Sequence, residues 1–278
     1  MERISFSIVM VCLNPGEKLR TSVESVLGQT YPDFELLIKD GGSRDASLDN
    51  LPADPRIRVE KQTDKGIYDA MNQALESVEK KEGRYVQFLN CGDAFHDETV
   101  LARIAEAIEK QEKEAGERPL ILYGNQYNLK QKCAVESAPQ INDFTCYRNV
   151  PCHQVCFYAA ALFAQRGYLT GYRVRADYEH FLYCIYRAGA KAVHTDVLVA
   201  DYEGGGFSET PENRRQSARE HRCIVREYLG AKKAFAYRMV LLLTLAPLRT
   251  KLAENENWAF AYNKVKTGIY RLGKGKRT

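Results

Sequence analysis

Apolar runs of strand length alternate with stripes of helical spacing along the first half of the chain. Ser7 to Leu13 and Phe34 to Ile38 read as strands, and between them Leu19, Val23, Val26 and Leu27 share one helical face. Asn14 suits the N-cap of that helix and Pro15 its first position. Ile67, Met71, Ala74, Leu75 and Val78 make a second helical stripe, and Tyr85 to Leu89 a further strand. Val100, Leu101, Ile104 and Ile108 face inward from a helix over Asp97 to Glu114, after which Ile121 and Leu122 lead into Tyr123-Gly124-Asn125. This alternation predicts an α/β fold, a mainly parallel sheet flanked by helices. Residues 126–157 predict a mixed segment crossing the functional edge and carrying the tetrapeptide PCHQ. Tyr158 to Gln165 predicts a helix capped by Gly167, and Asp177 to Ala188 another capped by Gly189. Val193, Thr195, Val197 and Val199 alternate as a strand. From Pro211 the chain predicts a helical tail, which divides it into an α/β domain over 1–210 and an extension over 211–278.

The strands end in polar turns that carry carboxylates. Phe34 to Ile38 runs into Asp40-Gly41-Gly42-Ser43, and Tyr85 to Leu89 runs into Asn90-Cys91-Gly92-Asp93. Open α/β sheets build phosphate and metal sites at this edge. Turns favour Asn, Gly and Asp in any case, so a plain turn is the competing reading for each. Asp64 and Asp177 likewise stand where a helix N-cap would.

Charge adds a second division. Residues 222–278 hold 13 Lys or Arg against 3 Asp or Glu, while the remainder holds 27 against 33. A basic tail on an acidic body implies an anionic partner for the tail. Phe235, Tyr237, Met239, Leu241, Leu242, Leu243 and Leu245 lie among Lys232, Lys233, Arg238, Arg249 and Lys251, a composition that suits either a helix at an anionic membrane surface or one packed on the body with a solvated basic face. Nucleic acid is not an expected partner, because the tail holds no recognised module. The N-terminus enters a strand without a signal-peptide core, and Met239 to Leu248 is too short to span a bilayer, so the expected place is the cytoplasm, at the inner face of the cell membrane through the tail. Cys146, Cys152, His153 and Cys156 cluster in sequence, but without a CxxC pair they read as reduced packing thiols beside one histidine rather than as a zinc site.

The ordered set SIVMVCLN, SVLGQTYPDFELLIKDGGSRD, DKGIYDAMN, YVQFLNCGD, RADYEHFL and GGGFS resembles the family-two glycosyltransferases of GT-A type. The resemblance covers about residues 5 to 208 and is closest to the subgroup carrying NGIYDAMN and LNSGD, which includes colanic-acid-type transferases of exopolysaccharide synthesis. It implies a GT-A Rossmann-like fold and a nucleotide-diphosphate sugar donor, UDP-linked by preference, with a saccharide or lipid-linked acceptor. It implies that Asp93 binds a divalent cation, Mn²⁺ or Mg²⁺, which bridges diphosphate oxygens. The family's usual second acidic residue is replaced here by Cys91, leaving one charge fewer. Asp40 would bond the nucleotide base, Leu13 and Asn14 would frame the nucleotide, Asp64, Gly66 and Asn72 would line the nucleotide and sugar side, and Asn90 would also contact the donor. His153 would contact phosphate or acceptor, and Ser208 in GGGFS would close over the diphosphate. Asp177 would be the general base for a single inverting displacement, with Glu179 as the fallback. No QxxRW-type motif is present, which favours one sugar per encounter.

Two other readings stand beside this one. A nucleotidylyltransferase needs a basic glycine-rich loop after the first strand, and CLNPGEKLR matches poorly. A non-catalytic nucleotide-sugar-binding or assembly protein with a degraded metal site is motivated by Cys91 and opposed by an intact Asp177. A dehydrogenase is disfavoured, because no GxGxxG follows the first strand.

Overall fold

A computed structural model describes residues 3–116, 118–204 and 210–244. Nine strands form one sheet: β1 (Ser5–Cys12), β2 (Phe34–Asp40), β3 (Ile57–Lys61), β4 (Arg84–Phe88), β5 (Ala94–Phe95), β6 (Leu120–Asn128), β7 (Cys133–Val135), β8 (Cys156–Ala159) and β9 (Lys191–Tyr202). Their order is β3-β2-β1-β4-β8-β6-β9-β5, with β7 added to β6. The first four in that order are mutually parallel, whereas β8 runs antiparallel to both β4 and β6. Two antiparallel steps restore the direction, so β6 points the same way as β4. The ends of β1, β2, β4 and β6 therefore share one edge.

The sequence explains why this half is buried on both faces. Ile8, Val9 and Met10, Leu36, Leu37 and Ile38, and Val86, Gln87 and Phe88 are all buried, and such consecutive runs without alternation belong to parallel strands covered by helices. Those helices are α1 (Lys18–Leu27), α2 (Ile67–Glu76) and α3 (Val100–Ala115), which turn Leu19, Val23, Met71, Leu75, Leu101 and Ile104 inward. Each fully buried side chain of this size contributes about 1.5–3 kcal/mol. Further along come α4 (Asp143–Arg148), α5 (Ala176–Tyr186) and α6 (Pro211–Leu243).

Three local expectations are corrected. Helix α1 begins at Lys18 behind Glu17, so Asn14 does not cap it; Asn14 takes a positive φ of 50° and ties two loops together instead. Residues 156–159, expected partly as helix, form strand β8, because Phe157 and Tyr158 are both fully buried between β4 and β6. Only a short 3-10 turn, Ala160–Phe163, follows it, and Gly167 packs against Asn72 rather than capping a helix: a Cβ there would collide with Asn72 Oδ1.

Helix α6 packs its first half on the body, burying Asn213, Glu220, Ile224, Val225 and Leu229. The buried Glu220 carboxylate accepts the backbone N–H groups of Arg173 (2.8 Å), Val174 (3.0 Å) and Arg175 (2.8 Å), which lead directly into α5. A kink at Gly230 (φ 78°) separates this half from the next, which rests on α4 through Tyr237 against Phe144 and Tyr147. Its other face exposes Phe235, Met239, Val240, Leu242 and Leu243.

Candidate active site

At the end of β1 and β2 the loops are cross-tied. Asn14 N–H donates to Ser43 Oγ (2.7 Å), and Arg44 N–H donates to Asn14 Oδ1 (2.8 Å). Asp40, 1 % exposed, accepts from Ser43 N–H (3.0 Å) and Ser43 Oγ (2.5 Å), the bonding of an Asp turn. Gly41 lets the chain pass close to Asp64: a Cβ at this position would lie 2.5 Å from Asp64 Oδ2. Leu13 projects into solvent beside them. Asp64 does not cap α2; Gly66 occupies that position with φ 134°, and its N–H donates to Asp64 Oδ1 (3.1 Å). Beneath this cradle lies Lys39, fully buried, its Nζ donating to the Asp40 and Gln62 carbonyls and standing 3.6 Å from Asp64 Oδ2. A buried lysine needs such partners to stay charged.

The Asn72 amide is committed elsewhere. Its nitrogen donates to the Tyr168 carbonyl (2.8 Å), and its oxygen accepts the Tyr168 N–H (2.7 Å). It fastens α2 to the loop that precedes α5.

The end of β4 meets α5 through PCHQ. His153 Nδ1 bonds Asp177 Oδ2 (3.0 Å), and its Nε2 faces the Asn90 amide nitrogen (3.1 Å). A ring nitrogen facing a carboxylate carries the proton, so Nδ1 donates. Tyr68 Oη donates to Asp177 Oδ1 (2.9 Å). Asp177 is the second residue of α5, which is entered at Arg175 without a side-chain cap, so capping does not account for it. Burial raises the Asp177 carboxyl, but the hydrogen bond and charge of His153, joined by the Tyr68 hydroxyl and the Tyr178 N–H, outweigh it and hold the group below the usual carboxylate range. About a quarter of the side chain stays exposed. Two residues on, Glu179 is fully buried and paired with Arg166 through both guanidinium nitrogens (2.8 and 3.0 Å), and it accepts from Tyr228 Oη. It is not placed to serve as the fallback base.

The residue after His153 reaches the other carboxylate. Gln154 donates its amide to Asp93 Oδ2, and Glu203 N–H donates to Asp93 Oδ1 (3.0 Å). Asp93 is 5 % exposed, and burial raises its carboxyl above the usual range despite these bonds. Among the described residues no group of three or more His, Cys, Asp or Glu gathers as a metal cluster. Magnesium-type sites, however, commonly use one or two carboxylates and leave the remaining positions to substrate phosphates. The oxygen donor at Asp93 fits a cation of that kind. Ser208 and residues 245–278 lie outside the described residues.

Lys39, Tyr68 and Gln154 were not singled out from the sequence. Each stood inside a quoted motif, FELLIKD, DKGIYDAMN or PCHQ. The available signal was a polar residue inside an otherwise apolar run for Lys39, and adjacency to a candidate for Gln154.

An open α/β sheet with carboxylates following β2 and β4, faced by a braced carboxylate at the start of α5, is a GT-A-type scaffold. The chain belongs to glycosyl transferase family 2, whose profile matches residues 7–169. It is 34% identical over 212 residues to a PGL/p-HBAD biosynthesis glycosyltransferase of Mycobacterium bovis (strain BCG / Pasteur 1173P2), covering 74% of this chain and 79% of the relative. It is 31% identical over 157 residues to the Escherichia coli UDP-Glc:alpha-D-GlcNAc-diphosphoundecaprenol beta-1,3-glucosyltransferase WfaP, covering 54% of this chain and 59% of the relative. Among solved structures it resembles Staphylococcus aureus TarS residues 1-349 (TM-score 0.62, 16% identity, 81% of this chain and 66% of that one). It also resembles the mannosyltransferase PcManGT from Pyrobaculum calidifontis in complex with GDP-Man and Mn²⁺ (TM-score 0.60, 12% identity, 98% and 88%). These likenesses show the GT-A fold.

Proposed function

We propose that this protein transfers one sugar from a UDP-linked donor to a lipid-linked saccharide, with inversion, in the synthesis of a bacterial surface polysaccharide of the colanic-acid type. The observation that carries the reading is that consecutive residues, His153 and Gln154, hold the two carboxylates, Asp177 and Asp93. One short segment thus fixes the acceptor-activating group relative to the phosphate-facing group. Orientation of this kind is worth far more in transfer chemistry than either group alone.

In this reading the base and ribose lie in the cradle of Asp40, Asp64 and Gly66. Asp93 would hold a divalent cation, Mn²⁺ or Mg²⁺, whose chemistry is to offset the charge of the departing diphosphate. Asp177 takes the proton from the acceptor hydroxyl, whose oxygen attacks the anomeric carbon from the side opposite the leaving group. His153 and Tyr68 keep the carboxylate ionised and aimed. The name of the Escherichia coli relative, a UDP-Glc transferase acting on a diphosphoundecaprenol-linked sugar, supports both the donor and the acceptor class. The deciding experiment is a screen of nucleotide sugars for release of free nucleoside diphosphate, in the presence of lipid-diphosphate-linked mono- and disaccharides. No release with any donor would defeat the reading.

Calorimetric titration with UDP tests the cradle. Asp40→Ala should weaken UDP by about 10- to 150-fold, the equivalent of about 1.5–3 kcal/mol for a hydrogen bond to a charged group. Affinity within twofold of the native protein would reduce Asp40 to the Ser43 turn alone.

No helix among the described residues is long and apolar enough to cross a membrane. The exposed apolar face of α6 beyond Gly230, set among basic residues, supports peripheral attachment at an anionic leaflet on the cytoplasmic side. Each Lys or Arg close to that surface contributes about 1 kcal/mol. Co-sedimentation should show binding to vesicles containing phosphatidylglycerol at low salt and loss of binding at high salt. Equal binding to neutral and anionic vesicles, or none to either, rejects the electrostatic version.

A further inference from the structure

A cavity of about 290 Å³ opens beside PCHQ, on the flank of the sheet away from the cradle. Its polar lining is Gln126, Glu136, Ser137, Thr145, Arg148 and Asn149. Gln126 stands near the end of β6, which points the same way as β1, β2 and β4, so the cavity lies along the same edge as the candidate site. Along that edge the cradle sits at β1 and β2, the Asn90–His153–Asp177 chain where β4 meets β8, and the cavity at β6 and β7. Pro151 and Cys152 form part of its wall, and the next residue is His153. Arg175 Nη1 donates to Asn149 Oδ1 (3.2 Å), which ties the rim to the segment two residues before Asp177.

The lining chemistry selects among ligands. Its two charged members, Arg148 and Glu136, are opposite in sign, which disfavours a dianionic phosphate. Amide, hydroxyl, carboxylate and guanidinium groups together offer both donors and acceptors. Ser137 Oγ donates to the Gly124 carbonyl (2.6 Å), so that hydroxyl can serve a ligand only as an acceptor. Valine and proline side chains supply apolar area between these groups. Alternating polar and apolar contacts of this kind match a neutral pyranose, whose hydroxyls ring a set of C–H faces. The volume lies at the small end of ligand pockets, enough for a sugar unit and too small for a nucleotide sugar.

We infer that this cavity is the subsite for the acceptor's terminal neutral sugar. There Arg148, Glu136, Gln126 and Asn149 bond its hydroxyls and present one of them to Asp177. The inference deepens the transfer reading and rests on it only for the identity of the ligand as acceptor.

The test is saturation-transfer NMR with methyl glycosides of glucose, galactose, mannose, rhamnose and N-acetylglucosamine, on the native protein, Arg148→Ala and Val135→Trp. Arg148 is exposed at the end of α4, so its truncation should leave the fold intact; Val135→Trp fills the cavity from β7. At least one glycoside should give a signal that saturating UDP does not displace and that falls at least tenfold in each variant. No signal from any glycoside, displacement by UDP, or a signal that survives in either variant with a native melting curve overturns the inference. If Val135→Trp does not fold, Arg148→Ala decides alone. Donor turnover is measured separately on the native protein. Glycoside binding at the cavity without turnover of any nucleotide sugar would leave a saccharide site and defeat the transfer reading. Turnover with no cavity-dependent binding would do the reverse.

Discussion

Asp177→Asn should lower sugar transfer by roughly 10²–10⁴-fold, the usual contribution of a positioned general base. The substitution preserves size but not bonding. Asp177 accepts from Tyr68 and Tyr178 on one oxygen and from His153 on the other, so an amide must turn an N–H toward a donor on one side. The mismatch should cost about 1–3 kcal/mol, a drop of a few degrees in melting temperature for a domain of this size. UDP affinity should not change, because in the proposed reaction this carboxylate serves the acceptor rather than the donor. Activity within fivefold of native would remove Asp177 from catalysis; loss of activity together with collapse of the melting curve would make its role structural. The pH profile supplies an independent readout. Because the folded group titrates below its ordinary value, the ionised base persists as pH falls. The acid limb of kcat/KM assigned to it should therefore lie below the ordinary carboxylate range. The same sign applies to stability: the contribution of Asp177 is present above the unfolded value and is lost as pH drops through the folded one.

Asp93→Ala should reduce turnover by on the order of 100-fold or more. Charge stabilisation by a cation is worth several kcal/mol in the transition state, and each 1.4 kcal/mol is a factor of ten. The fold should hold. The substitution strands the Gln154 amide and the Glu203 N–H, yet it also removes a buried carboxylate whose ionisation the surroundings oppose, and the two effects act in opposite directions. Mn²⁺ with UDP should raise the melting temperature of the native protein beyond UDP alone, and this increment should vanish in the variant. Full native turnover in EDTA, or an active variant, would sink the assignment.

The strand-to-carboxylate joins were legible because they are local. An apolar strand followed by Asp brings that residue to the C-terminal edge of a parallel sheet, and Asp40 closes β2 while Asp93 follows β4 through a short turn. Strand β8 was not legible as a strand. Four residues buried on both faces have neither the alternation of a half-buried strand nor the length that separates a strand from a helix. The choice between Asp177 and Glu179 was also beyond local reading. Two positions apart on a helix they point about 200° apart, and only the packed neighbours reveal that Glu179 turns to Arg166 while Asp177 turns to His153. Tyr68 and Asp177 are joined across 109 residues, a pairing that no single-sequence pattern encodes.

Glu220 gives the C-terminal helix a hereditary consequence. By gathering three backbone N–H groups just ahead of α5, it makes the first half of α6 a part of the support beneath Asp177, although it belongs in sequence to the tail. Tails could therefore be exchanged between relatives only downstream of the Gly230 bend. A graft made at residue 210 would import a foreign footing for Asp177 along with the new tail. Where such proteins diversify, the free variation should begin after that glycine, leaving the turns before it bound to the fate of the transferase body.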